Sequence, residues 1–144
     1  MIGIVVAAHG DLAEALVNTA KLVVPNSEQV RAVSVTAEDS SGDFEHKLQK
    51  SIEALEAYTG VLILTDMFGG TPSQVSMMKH AVGDIEVLTG ANLPMLIKAL
   101  QLSGAGESLE NTTNQTKESG KRAIVIASEL LGDRRSASEE SDRG

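Results

Sequence analysis

The sequence predicts an α/β fold, a doubly wound and mostly parallel sheet with helices on both faces. Three observations carry that prediction. The runs Ile2 to Ala7 and Val61 to Leu64 are near-continuously apolar, without the polar alternation of a half-solvated strand, so each reads as a strand covered on both sides. Shorter β-branched runs alternate with segments whose apolar residues recur three and four apart, the spacing of a helix face. The connections between them are short, which specifies a parallel sheet with right-handed crossovers.

The first strand begins at the second residue and ends at Ala8-His9-Gly10. Asp11, three residues before Glu14, predicts a capping-box start for a helix with Leu12, Ala15, Leu16, Thr19, Leu22 and Val23 as its apolar face, stopped by Pro25-Asn26. Val30 to Val35 follows as a strand, and Phe44, Leu48, Ile52 and Leu55 mark a helix that Gly60 closes. The central strand, Val61 to Asp66, runs into the turn Phe68-Gly69-Gly70-Thr71-Pro72. A helix from Pro72 to Val82 comes next, with Val75, Met77, Met78, Ala81 and Val82 read as core, then a strand from Asp84 to Thr89. Leu93, Leu96, Ile97 and Leu100 trace a further helix face, and the stretch from Ser103 to Ser119 carries a helix with a weak core face. Lys121 to Ala127 reads as a last strand. This order is that of a flavodoxin-like fold, with residues 1–127 as the domain and residues 128–144 as a disordered, charged and Ser-rich tail.

Composition narrows the function. A chain of 144 residues corresponds to one domain at roughly 100–200 residues each. Twelve Lys and Arg against 20 Asp and Glu give a net charge of −8, which repels nucleic acid and anionic membranes. The absence of cysteine excludes disulfides, thiol catalysis and thiolate zinc sites. There is no apolar run of about 18 residues and no basic start for a signal peptide, so a cytoplasmic location is expected. Two Phe, one Tyr and no Trp argue against a sugar- or base-stacking surface.

In open α/β sheets, ligands bind outside the carboxyl ends of the strands, so the residues just beyond the apolar runs carry the chemistry. His9 follows the first strand and Asp66 ends the third, and a flavodoxin-like order makes these strands neighbours. A carboxylate that accepts the Nδ1 hydrogen of an imidazole leaves Nε2 with a free lone pair and stabilises the cation formed when Nε2 attacks an electrophile. His9 is thus a candidate nucleophile, with Asp66 orienting its ring. Gly10 allows close backbone approach, while Gly69 and Gly70 permit a loop whose amides converge on an anion. Thr71, Pro72 and Gln74 predict a helix start, with Thr71 as cap and Gln74 completing a capping box, aimed at a phosphoryl group on His9. His46 and His80 read as solvated or structural. His9 and Asp66 supply too few ligands for a metal site, and neither metal nor cofactor is expected.

The segments Ile-Val-Val-Ala-Ala-His-Gly and Leu-Ile-Leu-Thr-Asp-Met-Phe-Gly-Gly-Thr-Pro-Ser, with Gly90-Ala91-Asn92-Leu93-Pro94-Met95, resemble the enzyme IIA domain of the mannose-type sugar phosphotransferase system (the mannose/fructose/sorbose family) over roughly residues 1–127. The resemblance implies a phosphotransferase in a phosphohistidine relay, with His9 accepting a phosphoryl group from the histidine-containing phosphocarrier protein. Asp66 would orient the ring, and Gly10, Phe68, Gly69, Gly70 and Thr71 would line the phosphoryl pocket. It implies passage to an enzyme IIB partner, here a separate chain, and through it to a membrane sugar permease. It also implies a homodimer in which the last strand, Lys121 to Ala127, crosses to the partner's sheet edge, running antiparallel there. Gln74 stands where the family often has Asn, and Phe68 where some members carry Trp. A stand-alone regulatory phosphoprotein is an alternative use of the same His9. A histidine-type phosphatase, the other alternative, needs arginines around the phosphate; Ala8 precedes His9, and Arg31, Arg122, Arg134, Arg135 and Arg143 all lie outside loops 8–11 and 66–71.

Overall fold

The structure, a computed structural model, describes residues 1–132; residues 133–144, and most of the tail expected to be disordered, lie outside the described residues. Its strands are β1 (Gly3–His9), β2 (Val30–Val35), β3 (Val61–Thr65) and β4 (Ile85–Thr89). The helices are α1 (Leu12–Val23), α2 (Ser41–Glu53), α3 (Thr71–Met77), α4 (Leu93–Gly104) and α5 (Leu109–Arg122). All four strands are parallel, in the order β2-β1-β3-β4. The two apolar runs therefore form the central pair, as strands buried on both faces must.

Alternation along β1 divides the core in two. Ile4, Val6 and Ala8 join Leu62 and Leu64 under α1 and α4, where Ala13, Val17, Leu96 and Leu100 cover them. Val5 and Ala7 face the other way with Ile63, under Phe44 and Leu48 of α2 and Val75 of α3. Fully burying a side chain such as Phe44 or Leu48 stabilises the fold by about 1.5–3 kcal/mol. Helix α2 starts on a complete capping box: the Ser40 hydroxyl accepts the Asp43 N–H, and the Asp43 carboxylate accepts the Ser40 N–H. Helix α5, the weakly apolar one, turns Thr112, Thr116 and Gly120 inward, and at Gly120 it approaches α4 closely enough for Met95 to occupy the place of a side chain.

Several expectations are corrected. The fully buried face of α1 is Ala13, Val17 and Ala20; of the expected face only Leu16 packs against the core, half-buried, while Leu12, Ala15, Thr19, Leu22 and Val23 are exposed. Asp11 makes no side-chain cap, since its own backbone is already near-helical at φ −91° and ψ 3°. Helix α3 ends at Met77 instead of Val82: a turn closed by Asp84 N–H on the Ala81 carbonyl, with Gly83 at φ 83°, reverses the chain into β4. Met77, Met78 and Val82 are exposed as a result, and only Val75 of that set is fully core. Lys121 to Ala127 forms no strand in the single chain. Lys121 and Arg122 close α5, Ile124 to Ile126 have no regular structure and are exposed, and residues 127–132 are helical, including the start of the expected tail. A strand needs a partner strand to satisfy its amides, and this segment pairs with none among the described residues.

Candidate functional site

His9 is the last residue of β1, and Asp66 is the first residue beyond β3. Parallel pairing of Ala7 with Thr65 brings the two strand ends level, so residues 57 positions apart in sequence meet at the carboxyl edge of the sheet. The Asp66 carboxylate does three things there. Its Oδ2 accepts the His9 backbone N–H at 2.9 Å and lies 2.7 Å from His9 Nδ1, while its Oδ1 accepts the Met67 N–H at 2.9 Å. The Asp66 side chain is only 10% exposed and the His9 ring 49% exposed.

Burial alone would raise the Asp66 pKa. The hydrogen bonds from the His9 backbone, the His9 ring and the Met67 N–H outweigh it and hold the carboxyl below the ordinary carboxylate range. Asp66 is therefore ionised at neutral pH and can only accept hydrogen bonds. The 2.7 Å contact then requires the hydrogen on Nδ1, which leaves Nε2 with its lone pair. Side chain and main chain of His9 are bound to the same oxygen atom, so the ring has little freedom to turn.

The second wall of the site is the loop before α3. Gly69 takes a left-handed backbone, φ 95°, which a side chain resists. Gly70 is extended and has a different reason to be glycine: a Cβ there would lie 2.8 Å from His9 Cε1 and 3.3 Å from His9 Nε2. Gly70, not Thr71, is the N-cap residue of α3, with Thr71 and Pro72 as its first two helical positions and no side-chain cap. Gln74 does not complete a capping box; its Nε2 donates to the Gly69 carbonyl at 3.1 Å. The Ser73 hydroxyl accepts the Gly69 N–H at 2.8 Å and donates to the Gly70 carbonyl at 3.0 Å.

The predicted site residues are thus dispersed by role. His9 is bound to Asp66 on one side and lies against Gly70 on another. Gly10, φ 58°, turns the chain from β1 towards α1. Phe68 is 73% exposed at the loop tip, and Thr71 is half-buried at the start of α3. His46 and His80 are exposed, His80 lying 3.6 Å from Glu86. Ser73 was not legible as a site residue; the available signal was a hydroxyl three and four residues beyond the two glycines, within reach of their backbone. Chemically, the arrangement offers one aligned, accessible imidazole nitrogen beside a Gly-rich loop and an ionised carboxylate.

Residues 3–117 match the family described as PTS system fructose IIA component, EIIA-man. The chain is 27% identical over 124 residues to the PTS system mannose-specific EIIAB component of Escherichia coli strain K12, covering 85% of this chain and 38% of that protein. It spans about two fifths of the length of such curated relatives. It is 25% identical over 132 residues to the PTS system fructose-specific EIIA component of Bacillus subtilis strain 168, covering 91% of this chain and 90% of that one. Among solved structures, the phosphotransferase system component EIIA from Streptococcus agalactiae superposes with a TM-score of 0.79 at 30% identity, over 89% of this chain and 98% of that one. The mannose/sorbose-specific IIA subunit from Enterococcus faecalis superposes with a TM-score of 0.77 at 26% identity, over 86% and 92%.

Proposed function

The chain belongs to the mannose-type enzyme IIA family of the sugar phosphotransferase system, and on that footing we propose that it is a phosphocarrier that takes a phosphoryl group on His9. The donor is the histidine-containing phosphocarrier protein and the acceptor an enzyme IIB that serves a sugar permease. The observation that carries this reading is the ring itself: Nδ1 bonded to Asp66 at 2.7 Å, and the opposite edge against Gly70.

The Nε2 lone pair forms the new N–P bond as the bond between phosphorus and the donor's histidine nitrogen breaks, and the departing nitrogen keeps that electron pair. The imidazole becomes cationic in the process, and the Asp66 carboxylate stabilises that charge. Such transfers pass through a loose transition state in which the protein mainly positions the groups and balances charge. Gly10, Phe68, Gly69, Gly70 and Thr71 are the residues this reading puts around the phosphoryl group. The phosphatase alternative finds no support in Arg31, whose guanidinium is held by the Glu28 and Val30 carbonyls.

Two further parts of the proposal rest on the fold. No helix among the described residues is long and apolar enough to cross a membrane, which supports a cytoplasmic carrier. For the homodimer, the supporting feature is β4, which among the described strands pairs with β3 alone and is therefore a sheet edge. Ile124, Val125 and Ile126 are 80%, 59% and 58% exposed, and Ile124 borders the same recess as Leu88 and Thr89 of β4. A second copy offering this segment as a strand would cover both. We take residues 1–127 as the domain on the same grounds.

The test is incubation with labelled phosphoenolpyruvate, enzyme I and the phosphocarrier protein, omitting each in turn. The native chain acquires an acid-labile label that depends on all three, and His9→Ala acquires none. Asp66→Ala is labelled more slowly by roughly two orders of magnitude, the cost of a ring no longer held in line. Full labelling of His9→Ala would overturn the assignment.

A further inference from the structure

We infer that Ser73 is a positioning residue for phosphoryl transfer, acting through Gly70 to hold the wall against which the Nε2 edge of His9 is set; the inference rests on the phosphocarrier reading above. Two glycines in succession carry the largest backbone entropy of any residue pair, so this loop has one conformation only if its polar groups are tied down. They are tied by α3. The Gly69 N–H donates to Ser73 Oγ at 2.8 Å, and the Gly69 carbonyl accepts Gln74 Nε2 at 3.1 Å. The Gly70 carbonyl accepts both the Ser73 hydroxyl at 3.0 Å and the Gln74 N–H at 3.0 Å.

Ser73 is the only side chain in this set that grips both glycines, and at 1% exposure its hydroxyl has no solvent to compete for it. What it holds matters for the reacting atom. Gly70 lies so near the ring that an added Cβ would come within 3.3 Å of Nε2, and Gly69 reaches that place only through a left-handed backbone at φ 95°. Asp66 grips the Nδ1 side of the ring, and Ser73, through Gly70, sets what faces the other side. Ser76, one turn along the same helix, provides the contrast: it is fully buried, but its hydroxyl has no hydrogen-bond partner among the described residues and touches neither glycine's polar groups.

The experiment compares native protein, Ser73→Ala, Gln74→Ala and Ser76→Ala in labelling kinetics against varied donor phosphocarrier, and reads Gly69 amide exchange and the His9 Hε1 resonance by NMR. Ser73→Ala is expected to lower kcat roughly tenfold to a hundredfold, the scale of loss for a small misplacement, with KM changed by about twofold or less. Its Gly69 amide exchanges faster and its Hε1 resonance moves. Gln74→Ala, on an exposed residue, shows the same signs more weakly, and Ser76→Ala matches the native protein. Native rates in Ser73→Ala and Gln74→Ala, or a kcat loss with unchanged Gly69 exchange and Hε1 position, overturns the inference. If Ser73→Ala does not fold, Gln74→Ala decides by the same readouts. A native chain that takes no label overturns the phosphocarrier reading instead, and the Gly69 and Hε1 signals then judge the clamp separately.

Discussion

Two adjacent glycines in the loop facing His9 do different work. Gly69 is there for its backbone, with open space where a Cβ would go, whereas Gly70 is there for its missing Cβ, in a conformation any residue can adopt. Gly69→Ala is therefore expected to cost about 1–3 kcal/mol of stability through strain at positive φ. Gly70→Ala keeps most of the stability and loses phosphoryl acceptance by roughly tenfold or more, because the methyl group pushes the ring off line. Denaturant unfolding and labelling rates separate the two. Asp66 also makes a pH prediction. Its folded pKa is depressed, so the stabilisation it contributes is fully present above the unfolded carboxyl value of about 3.9 and is lost as pH falls through the lower folded value. Urea midpoints taken between about pH 5 and about pH 3 should fall more steeply for the native protein than for Asp66→Asn. Asp39, also held low, chiefly by its hydrogen bond from Lys47, is common to both proteins and cancels in that comparison. At this scale His9 and Asp66 were legible because each stands at the end of an unmistakable strand. The bonds of Ser73 were not, because a hydroxyl's partner depends on which way the loop folds back.

Among the elements, α2 and α4 match their apolar spacing, while α1 shows where periodicity misleads. Of its large apolar residues Leu12, Leu22 and Val23 are exposed and Leu16 is half-buried against the core, while its buried row is the smaller set Ala13, Val17 and Ala20. Periodicity reports that a helix has two faces; which face the sheet accepts depends on the space left over β1. Val17→Ala is expected to destabilise the protein by about 1–2 kcal/mol, and Leu22→Ala, at a side chain 84% exposed, by less than about 0.5 kcal/mol. Thermal unfolding of the two variants checks the orientation of α1, and a larger loss at Leu22 would contradict it. Helix α3 was legible at its start but not at its end, since the reversal at Ala81 to Asp84 is a contact with β4 and leaves no mark on the hydrophobic pattern.

For the whole molecule the open question is the edge of the sheet. The expected last strand is absent from the single chain, yet its three β-branched residues stay exposed near the outer edge of β4, which no strand covers among the described residues. Exposed edges of this kind are sites for pairing with another chain. If the homodimer forms through this segment, a chain ending at Arg122 should sediment as a monomer while the full chain sediments as a dimer. A dimer of the shortened chain would place the interface elsewhere. The strand propensity of Ile124 to Ile126 was visible in the sequence, but a strand exists only where an edge receives it, and that is decided by how the copies meet.

The sequence by itself determined the parallel sheet, the order of its elements up to α5 and the pairing of His9 with Asp66. These follow from hydrophobic period and from the rule that sites form at strand ends, both of which are local or topological. Only the tertiary structure decided which face of α1 is buried, that Gly70 is glycine to make room for the imidazole, and that Ser73 and Gln74 tie down the loop. Each of these depends on distances between segments remote in sequence or on the direction of a single hydrogen bond, and neither quantity is written in the order of the residues.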